Sequence, residues 1–247
     1  LYKSKSGERG IFNRQAARSA CDRMSEWRKG ENILRDSNHK FGTNPCSEIV
    51  LRDCEFCNLT EIVVREGDTK ASLMRKARLA TILGTWQSTL TDFRYLASSW
   101  KKNCEEERLL GVSMTGIMDC KLTNGKGGNR LDQLLFGLRD EVVNVNRDYA
   151  NTLGIPQSAA TTCVKPSGTV SQLVDAASGI HARHNPYYIR TVRADNKDPL
   201  CQFMKDKGFP HEACVMKPDN VTVFSFPVKA PDNSIFRTDM SAIEQLE

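Results

Sequence analysis

Short apolar runs alternate with longer amphipathic segments along most of this 247-residue chain, and that alternation constrains the fold more than any other feature. Residues 131–153 repeat apolar side chains every three or four positions, which predicts a long helix, and residues 70–98 carry a similar pattern. Between them, the run ERLLGVSMTGIMD predicts a buried strand followed by a turn. Strands that alternate with helices of this length predict an α/β fold with a largely parallel sheet. No boundary stands out, so we expect residues 1–247 to form a single domain.

The same patterns predict the remaining elements. A helix is expected over residues 12–28, and a strand that begins at Cys57 is expected to end before the turn at Gly67-Asp68. Further segments are predicted as follows: a loop at LTNGKGGNR, a strand at AATTCVK, a turn entering a short helix at PSGTVSQLV, strands at YYIRTVRA, ACVMK and VTVFSFPV, and a helix near 198–207.

Composition narrows the class of protein. No run approaches the roughly 18 apolar residues that a membrane helix needs, and the net charge of +5 is spread thinly, so we expect neither a membrane nor a nucleic-acid partner. Nine irregularly spaced cysteines do not form the even framework of a secreted domain, and with no secretory leader a reducing, cytoplasmic location is predicted. The chain starts at Leu1 and stops in a helix-like SAIEQLE, so we expect both ends to belong to a longer protein.

The stretch GTNPCSEIVL places an amide, a thiol and a carboxylate at alternate positions. In a strand Asn44, Cys46 and Glu48 would share one face, and in a tight loop they could converge on one small object. These three residue types in this pattern indicate chemistry rather than packing. No metal ligand set is predicted among them.

A second segment, KPSGTV, has the features of an anion-binding turn. Gly168 lets the backbone approach a phosphate closely, and Ser167 and Thr169 offer hydroxyl groups. The N–H groups at the start of the following helix would point at an anion, and Lys165 could add charge. On these residues alone, a plain strand-to-helix turn remains an alternative.

Cys54 and Cys57 form a C-x-x-C pair, for which two interpretations remain open. A structural zinc site would need another close pair of ligands, and neither the cysteines at 104 and 120 nor the histidines at 181 and 184 provide a convincing one. A thioredoxin-like redox pair is compatible with the spacing, because either cysteine could be chemically competent. Cys163, on a predicted buried strand, is assigned to the core.

Taken together, these segments resemble the catalytic subunit of the ribonucleotide reductase family. NPCSEI is similar to the family's active-site loop, CNL at 57–59 to the position of a redox cysteine, and KPSGTVSQLVDAASGI at 165–180 to the substrate-phosphate loop; SGERGIFNR upstream adds to the likeness. The resemblance implies that the chain is the second half of a ten-stranded α/β barrel, with a central finger loop at about 42–58 and a phosphate loop at about 165–171.

The resemblance also implies roles for individual residues. Reduction at a ribose 2′ carbon requires activation of the 3′ C–H bond, which a thiyl radical can achieve because S–H and activated C–H bonds are close in strength. Cys46 would carry that radical, Glu48 would take the 3′-hydroxyl proton as water leaves, and Asn44 would hold the sugar hydroxyls. Cys57 would be one of the two reducing cysteines. The phosphate loop would be formed by Pro166, Ser167, Gly168, Thr169 and Val170.

The wording VKPSGT and the short gap between Cys46 and Cys57 resemble the adenosylcobalamin-dependent branch of the family. That branch implies adenosylcobalamin as cofactor, a ribonucleoside di- or triphosphate as substrate, and a thioredoxin-type reductant. The partner redox cysteine would lie in a missing N-terminal half-barrel of the same protein. Alternatives are a glycyl-radical or class I type reductase with the same barrel, or a non-catalytic nucleotide-phosphate-binding module. Class I enzymes import the radical through tyrosines, but Tyr187 and Tyr188 lie in a predicted strand and are interpreted as structural.

Overall fold

The computed structural model describes residues 10–27, 35–126 and 130–246, and residues 6–9 of the SGERGIFNR stretch and residues 127–129 of the predicted LTNGKGGNR loop lie outside this range. The chain forms two compact units, one that ends at Ile180 and one that begins at His181. The first unit contains the following elements: α1 (Arg14–Trp27), β1 (Gly42–Thr43), β2 (Val50–Leu51), β3 (Asn58–Val63), α2 (Lys70–Gln87), α3 (Ser98–Glu107), β4 (Leu110–Thr115), α4 (Arg130–Leu153) and α5 (Thr169–Leu173).

A parallel β-sheet is the framework of the first unit. Strands β3 and β4 pair in parallel from Asn58↔Leu110 to Val63↔Thr115. On the other edge of β4, the predicted strand at 159–165 forms only a parallel bridge, Val112↔Thr162. Two flanking hydrogen bonds, from Leu110 N to Ala160 O and from Val112 N to Thr161 O, are each 2.9 Å long. The ends of these three parallel segments therefore bring residues distant in sequence to one edge, as such sheets generally do.

Helices α2 and α4 cover the sheet and supply its core. A capping box starts α2: the Thr69 hydroxyl accepts the Ser72 N–H at 3.2 Å, and the Ser72 hydroxyl accepts the Thr69 N–H at 2.9 Å. The predicted helical face of α2 is buried at Leu73, Ala77 and Ala80, but Leu83 is 58 % exposed, contrary to the sequence pattern. The buried core is formed by Ile62, Val64, Leu73, Ala77, Ala80, Val112, Cys120, Leu134, Leu138 and Val142.

The second unit is an antiparallel sheet with two helices. Its elements are β5 (Tyr187–Asp195), α6 (Pro199–Asp206), β6 (His211–Ala213), β7 (Val221–Lys229) and α7 (Ala242–Leu246), with strand order β5-β7-β6. The strand predicted at ACVMK lies earlier, because the Lys217 N–H donates to the Cys214 carbonyl in a turn. The α/β class is confirmed. The parallel strand pair lies in the first unit, whereas the strands of the second unit are antiparallel and its parallel pairing is one isolated bridge, Arg183↔Phe236. The expectation of a largely parallel sheet is therefore wrong for the second unit.

Within the described residues, no helix combines the length and the apolar character that a membrane crossing requires.

Candidate active site

The residues Asn44, Cys46 and Glu48 lie in a tight hairpin rather than in a strand. Strands β1 and β2 are antiparallel, with Gly42 opposite Leu51 and Thr43 opposite Val50, so the segment 44–49 is the connection between them. Asn44 closes it: its side-chain oxygen accepts the Ile49 N–H at 3.0 Å, and its carbonyl accepts the Ser47 N–H at 3.0 Å. Ser47 adopts a left-handed φ of 66°. The polar side chains therefore converge, as the sequence allowed for a loop.

Glu48 is the buried charge of this hairpin, with 5 % of its side chain exposed. Its Oε1 accepts the Asn44 amide at 2.7 Å and lies 2.8 Å from the Lys165 ammonium nitrogen. Burial alone would raise the pKa of Glu48, but the hydrogen bonds from Lys165, its own backbone and Asn44 hold it below the ordinary value. Its Oε2 is buried and makes no hydrogen bond to the described part of the chain. The carboxylate is therefore ionised, with one oxygen paired and the other buried without a hydrogen bond to the described residues.

Cys46 occupies the exposed tip of the hairpin. Its side chain is accessible, whereas the other cysteines of the described residues are buried or half-buried. The ammonium of Lys165 interacts with the Cys46 side chain as well as with Glu48, and both contacts raise the pKa of Lys165. A thiol that can be approached from outside thus shares the Lys165 ammonium with a fixed carboxylate.

The predicted phosphate loop follows Lys165 directly. Pro166 precedes a buried Ser167, whose hydroxyl oxygen accepts the Ser171 N–H in the first turn of α5 at 3.1 Å. The next three residues, Gly168, Thr169 and Val170, are exposed. No atom lies within 4 Å of the place where a Cβ on Gly168 would stand, so the backbone is open to a ligand there. The Ser167 hydroxyl is therefore engaged in structure, whereas the residues after it face open space.

The end of β4 holds this loop in position. Gly116 follows β4 with φ +78°, and its N–H donates to the Ala177 carbonyl at 2.7 Å. The Thr115 hydroxyl donates to the same carbonyl at 2.9 Å and accepts the Gly179 N–H at 2.9 Å. A Cβ on Gly116 would stand 2.4 Å from the Val64 carbonyl oxygen, so only glycine fits. The segment after the phosphate loop is thus tied to the parallel sheet.

Cys57 lies beside Cys163, which the sequence assigned only to the core. A Cβ placed on Gly111 would be 3.1 Å from the Cys57 sulfur and 3.0 Å from the Cys163 sulfur, so both thiols meet over this glycine of β4. Burial, and then the neighbouring Cys163, raise the pKa of Cys57, and burial raises the pKa of Cys163 to about 12. Both are thiols at neutral pH. Cys54 adopts a left-handed φ of 53°. None of the nine cysteines, all of which lie within the described residues, forms a disulfide.

A buried ion cluster anchors the chain that follows the hairpin. We use this name for Arg35, Arg52, Glu55 and Glu107, whose side chains are at most 8 % exposed. Arg35 lies 2.8 Å and Arg52 3.2 Å from the Glu107 carboxylate, and Glu55 lies 3.6 Å and 3.4 Å from the same two guanidinium groups. No local pattern predicts this cluster, because its members are spread over more than seventy residues. Within residues 10–27, 35–126 and 130–246, no group of three or more His, Cys, Asp or Glu residues could hold a metal ion.

Comparison with curated proteins shows which family this chain belongs to. No family model matches the chain. The adenosylcobalamin-dependent ribonucleoside-triphosphate reductase of Lactobacillus delbrueckii subsp. bulgaricus is 31% identical over 214 residues, which cover 76% of this chain and 28% of that protein. The protein of the same name from Euglena gracilis is 29% identical over 209 residues, covering 83% of this chain and 28% of that protein. The chain thus spans about 28% of the length of these relatives.

Solved structures agree with the sequence relatives. A B12-dependent (class II) ribonucleotide reductase matches with a TM-score of 0.65 and 30% identity, over 79% of this chain and 30% of that chain. The class Id ribonucleotide reductase alpha subunit of Actinobacillus ureae shares the fold with a TM-score of 0.55 at 16% identity, over 83% of this chain and 41% of that chain. The chain therefore belongs to the ribonucleotide reductase family. Its curated relatives carry the name of the adenosylcobalamin-dependent branch, so the recognition of that branch from the sequence is confirmed.

Proposed function

We propose that this chain is the part of an adenosylcobalamin-dependent ribonucleoside-triphosphate reductase that carries the radical cysteine. The intact protein would reduce ribonucleotides to deoxyribonucleotides for DNA synthesis. The observation that carries the proposal is the hairpin itself, in which an exposed Cys46 thiol and the buried, ionised carboxylate of Glu48 both interact with the Lys165 ammonium. The names of the curated relatives support both the reaction and the triphosphate substrate.

Each residue of the hairpin triplet has its own role at the sugar. The Cys46 thiyl radical takes the hydrogen atom from the 3′ carbon of the ribose, and the Glu48 carboxylate accepts the proton of the 3′-hydroxyl as the 2′-hydroxyl leaves as water. The free Oε2 of Glu48 is suited to this role, because it is the carboxylate oxygen that no described residue occupies. Asn44 fixes the other oxygen at 2.7 Å and orients the carboxylate.

Cys57 supplies reducing equivalents. Its thiol, together with a second thiol from the part of the protein that precedes this chain, gives two electrons and two protons and becomes a disulfide, while the substrate loses water. The raised pKa of Cys57 keeps it in the protonated form that such a donor needs. A thioredoxin-type reductant would then restore both thiols.

The phosphate loop binds the substrate through Pro166, Ser167, Gly168, Thr169 and Val170. Support comes from the open space at Gly168 and the exposure of the two residues after it. Ser167 contributes by holding the turn, since its hydroxyl oxygen accepts the Ser171 N–H.

The accessibility of Cys46 is the feature of this site that fits adenosylcobalamin. A cofactor that oxidises a cysteine needs an accessible thiol, and Cys46 is free and exposed. When bound, adenosylcobalamin supplies the oxidising equivalent that removes the hydrogen atom from that thiol. The chain's own contribution is to present the thiol and keep Glu48 beside it.

We further propose that both compact units belong to one catalytic domain, the second half of a ten-stranded α/β barrel. The parallel segments β3, β4 and 160–163, with the hairpin of Cys46 on the same unit, support this assignment. The first half-barrel of the same polypeptide would complete the site. The isolated chain should therefore form no deoxyribonucleotide, and measured turnover by it would contradict this assignment.

The test is reduction by the intact parent protein with adenosylcobalamin, a reductant and a ribonucleoside triphosphate. Cys46→Ser should abolish deoxyribonucleotide formation and leave nucleotide binding unchanged. Cys54→Ser, at a neighbouring half-buried cysteine with no role in the reaction, is the matched control and should keep activity. A non-catalytic nucleotide-binding module would bind nucleotide in all three proteins and reduce none.

A further inference from the structure

Lys165 is the residue that joins the hairpin to the phosphate loop. Its ammonium lies 2.8 Å from the Glu48 carboxylate, and its side chain is 26 % exposed, whereas that of Glu48 is 5 % exposed. In sequence it directly precedes Pro166, the first residue of the phosphate loop. One cation thus lies between the group that would act on the sugar and the segment that would bind the phosphates.

Two features make this position unusual for a structural ion pair. The side chains of Asn44 and Lys165 both contact the same oxygen of the Glu48 carboxylate, Oε1. The other oxygen, Oε2, is buried and makes no hydrogen bond to the described residues. A buried polar atom without a partner costs free energy, and such atoms in proteins often await a ligand. Lysine also has a flexible four-carbon stem and binds phosphate readily as a point charge.

We propose that Lys165 is a positioning residue that exchanges the Glu48 carboxylate for a phosphate oxygen of the nucleotide, so that Glu48 is freed toward the sugar only in the substrate complex. This inference rests on the proposed function and adds a coupling between phosphate binding and proton transfer to Glu48. Before substrate binds, the ion pair keeps the carboxylate fixed and ionised. After binding, Asn44 and the backbone of Glu48 hold the carboxylate, and Oε2 is the oxygen left to accept the hydroxyl proton.

The coupling has a direction that follows from the charges around Glu48. Burial raises its pKa, and Lys165 is the cation that opposes burial; the other ionisable groups that interact with it are the thiols of Cys57 and Cys163, with Cys46 beside the ammonium. Once the ammonium moves to a phosphate, burial dominates and the pKa of Glu48 rises. The carboxylate therefore becomes a better proton acceptor when substrate is present.

The experiment uses the intact parent protein with a ribonucleoside triphosphate and three variants. Lys165→Met removes the charge and keeps the length of the side chain, and Lys165→Arg keeps a cation. Lys76→Met is the matched control, because Lys76 also pairs with a mostly buried carboxylate, that of Asp68 at 2.6 Å, outside this site. Nucleotide affinity is measured by equilibrium dialysis. The fall in rate at low pH is measured both for kcat/KM, which reports ionisation in the free enzyme, and for kcat, which reports ionisation in the substrate complex. We call this fall the acid limb of each profile.

In the wild-type protein the acid limb of kcat should lie at higher pH than that of kcat/KM. In Lys165→Met the two limbs should coincide at the higher pH, and nucleotide affinity should fall about tenfold or more, the usual effect of losing a charged contact. Lys165→Arg should restore most of the affinity, and Lys76→Met should change neither. Coinciding limbs in the wild type, or unchanged affinity in Lys165→Met, would overturn the exchange. If the wild-type protein forms no deoxyribonucleotide at all, it is the proposed function that fails.

Discussion

Replacing Glu55 by glutamine should remove the loss of folding stability that the buried ion cluster causes as the pH rises. Burial raises the pKa of Glu55, and the charge of Glu107 raises it further, to about 7 from an ordinary 4.5, although the Arg52 backbone N–H and the guanidinium groups of Arg35 and Arg52 oppose the shift. The folded protein therefore holds a proton on Glu55 between pH 4.5 and 7 that the unfolded chain has lost. Because the folded state binds the extra proton, its stability falls as the pH rises through that window.

The size of the effect follows from the shift. One pKa unit corresponds to about 1.4 kcal/mol, so ionising Glu55 in the folded protein costs about 3 kcal/mol by pH 8. Glutamine has nearly the same shape and cannot ionise. The free energy of unfolding of Glu55→Gln, relative to the wild type, should thus increase by about 3 kcal/mol between pH 4.5 and pH 8.

The assay is urea unfolding of the intact parent protein at a series of pH values. Taking the difference between variant and wild type cancels the other titrating groups. Glu212→Gln removes one negative charge from the exposed strand β6 and is the control, for which the difference should stay flat. A flat difference for Glu55→Gln as well would refute the reasoning, because Glu55 would then titrate alike in the folded and unfolded states.

Three further substitutions and one control test how glycines and a helix cap support the site. Gly111→Ala would place a methyl group 2.5 Å from a Leu59 side-chain carbon and against both thiols, so turnover of the intact parent protein with a thiol reductant should fall steeply. Its control is Gly137→Ala, in open space on α4, which should keep activity and add up to about 1 kcal/mol of stability. Gly116→Ala should cost about 2 kcal/mol or more and raise the KM for nucleotide, because the left-handed turn that holds the segment after the phosphate loop is lost. Thr69→Ala should cost about 1 kcal/mol in thermal unfolding and leave KM unchanged.

Local patterns in the sequence predicted the helices better than the sheets. The helices expected at 12–28 and 131–153 are α1 and α4 within one or two residues, because apolar spacing reports directly on a helix face. The strands expected at YYIRTVRA and VTVFSFPV are β5 and β7, but they pair antiparallel rather than in the expected parallel sheet, since the direction of pairing depends on partners distant in the chain. Leu83 fits the helical pattern and is nevertheless exposed, because the pattern does not show where the covering element ends.

The site was predictable where its residues are close in sequence and not where the fold brings them together. Asn44, Cys46 and Glu48 could be chosen from one hairpin. The contact between Glu48 and Lys165 crosses 117 positions, and the meeting of Cys57 and Cys163 depends on the pairing of three parallel segments. The spacing of apolar residues along the chain does not predict either contact.

The central claim is that Cys46 is the radical residue of a cobalamin-dependent reductase. The most direct measurement is the EPR spectrum of the intact parent protein, mixed anaerobically with adenosylcobalamin, a reductant and a ribonucleoside triphosphate, for the wild type and Cys46→Ser. We predict a radical signal coupled to cobalt in the wild type that is lost in the variant. The same signal in Cys46→Ser would show that the radical resides elsewhere, and no signal in either protein would contradict the cobalamin-dependent mechanism.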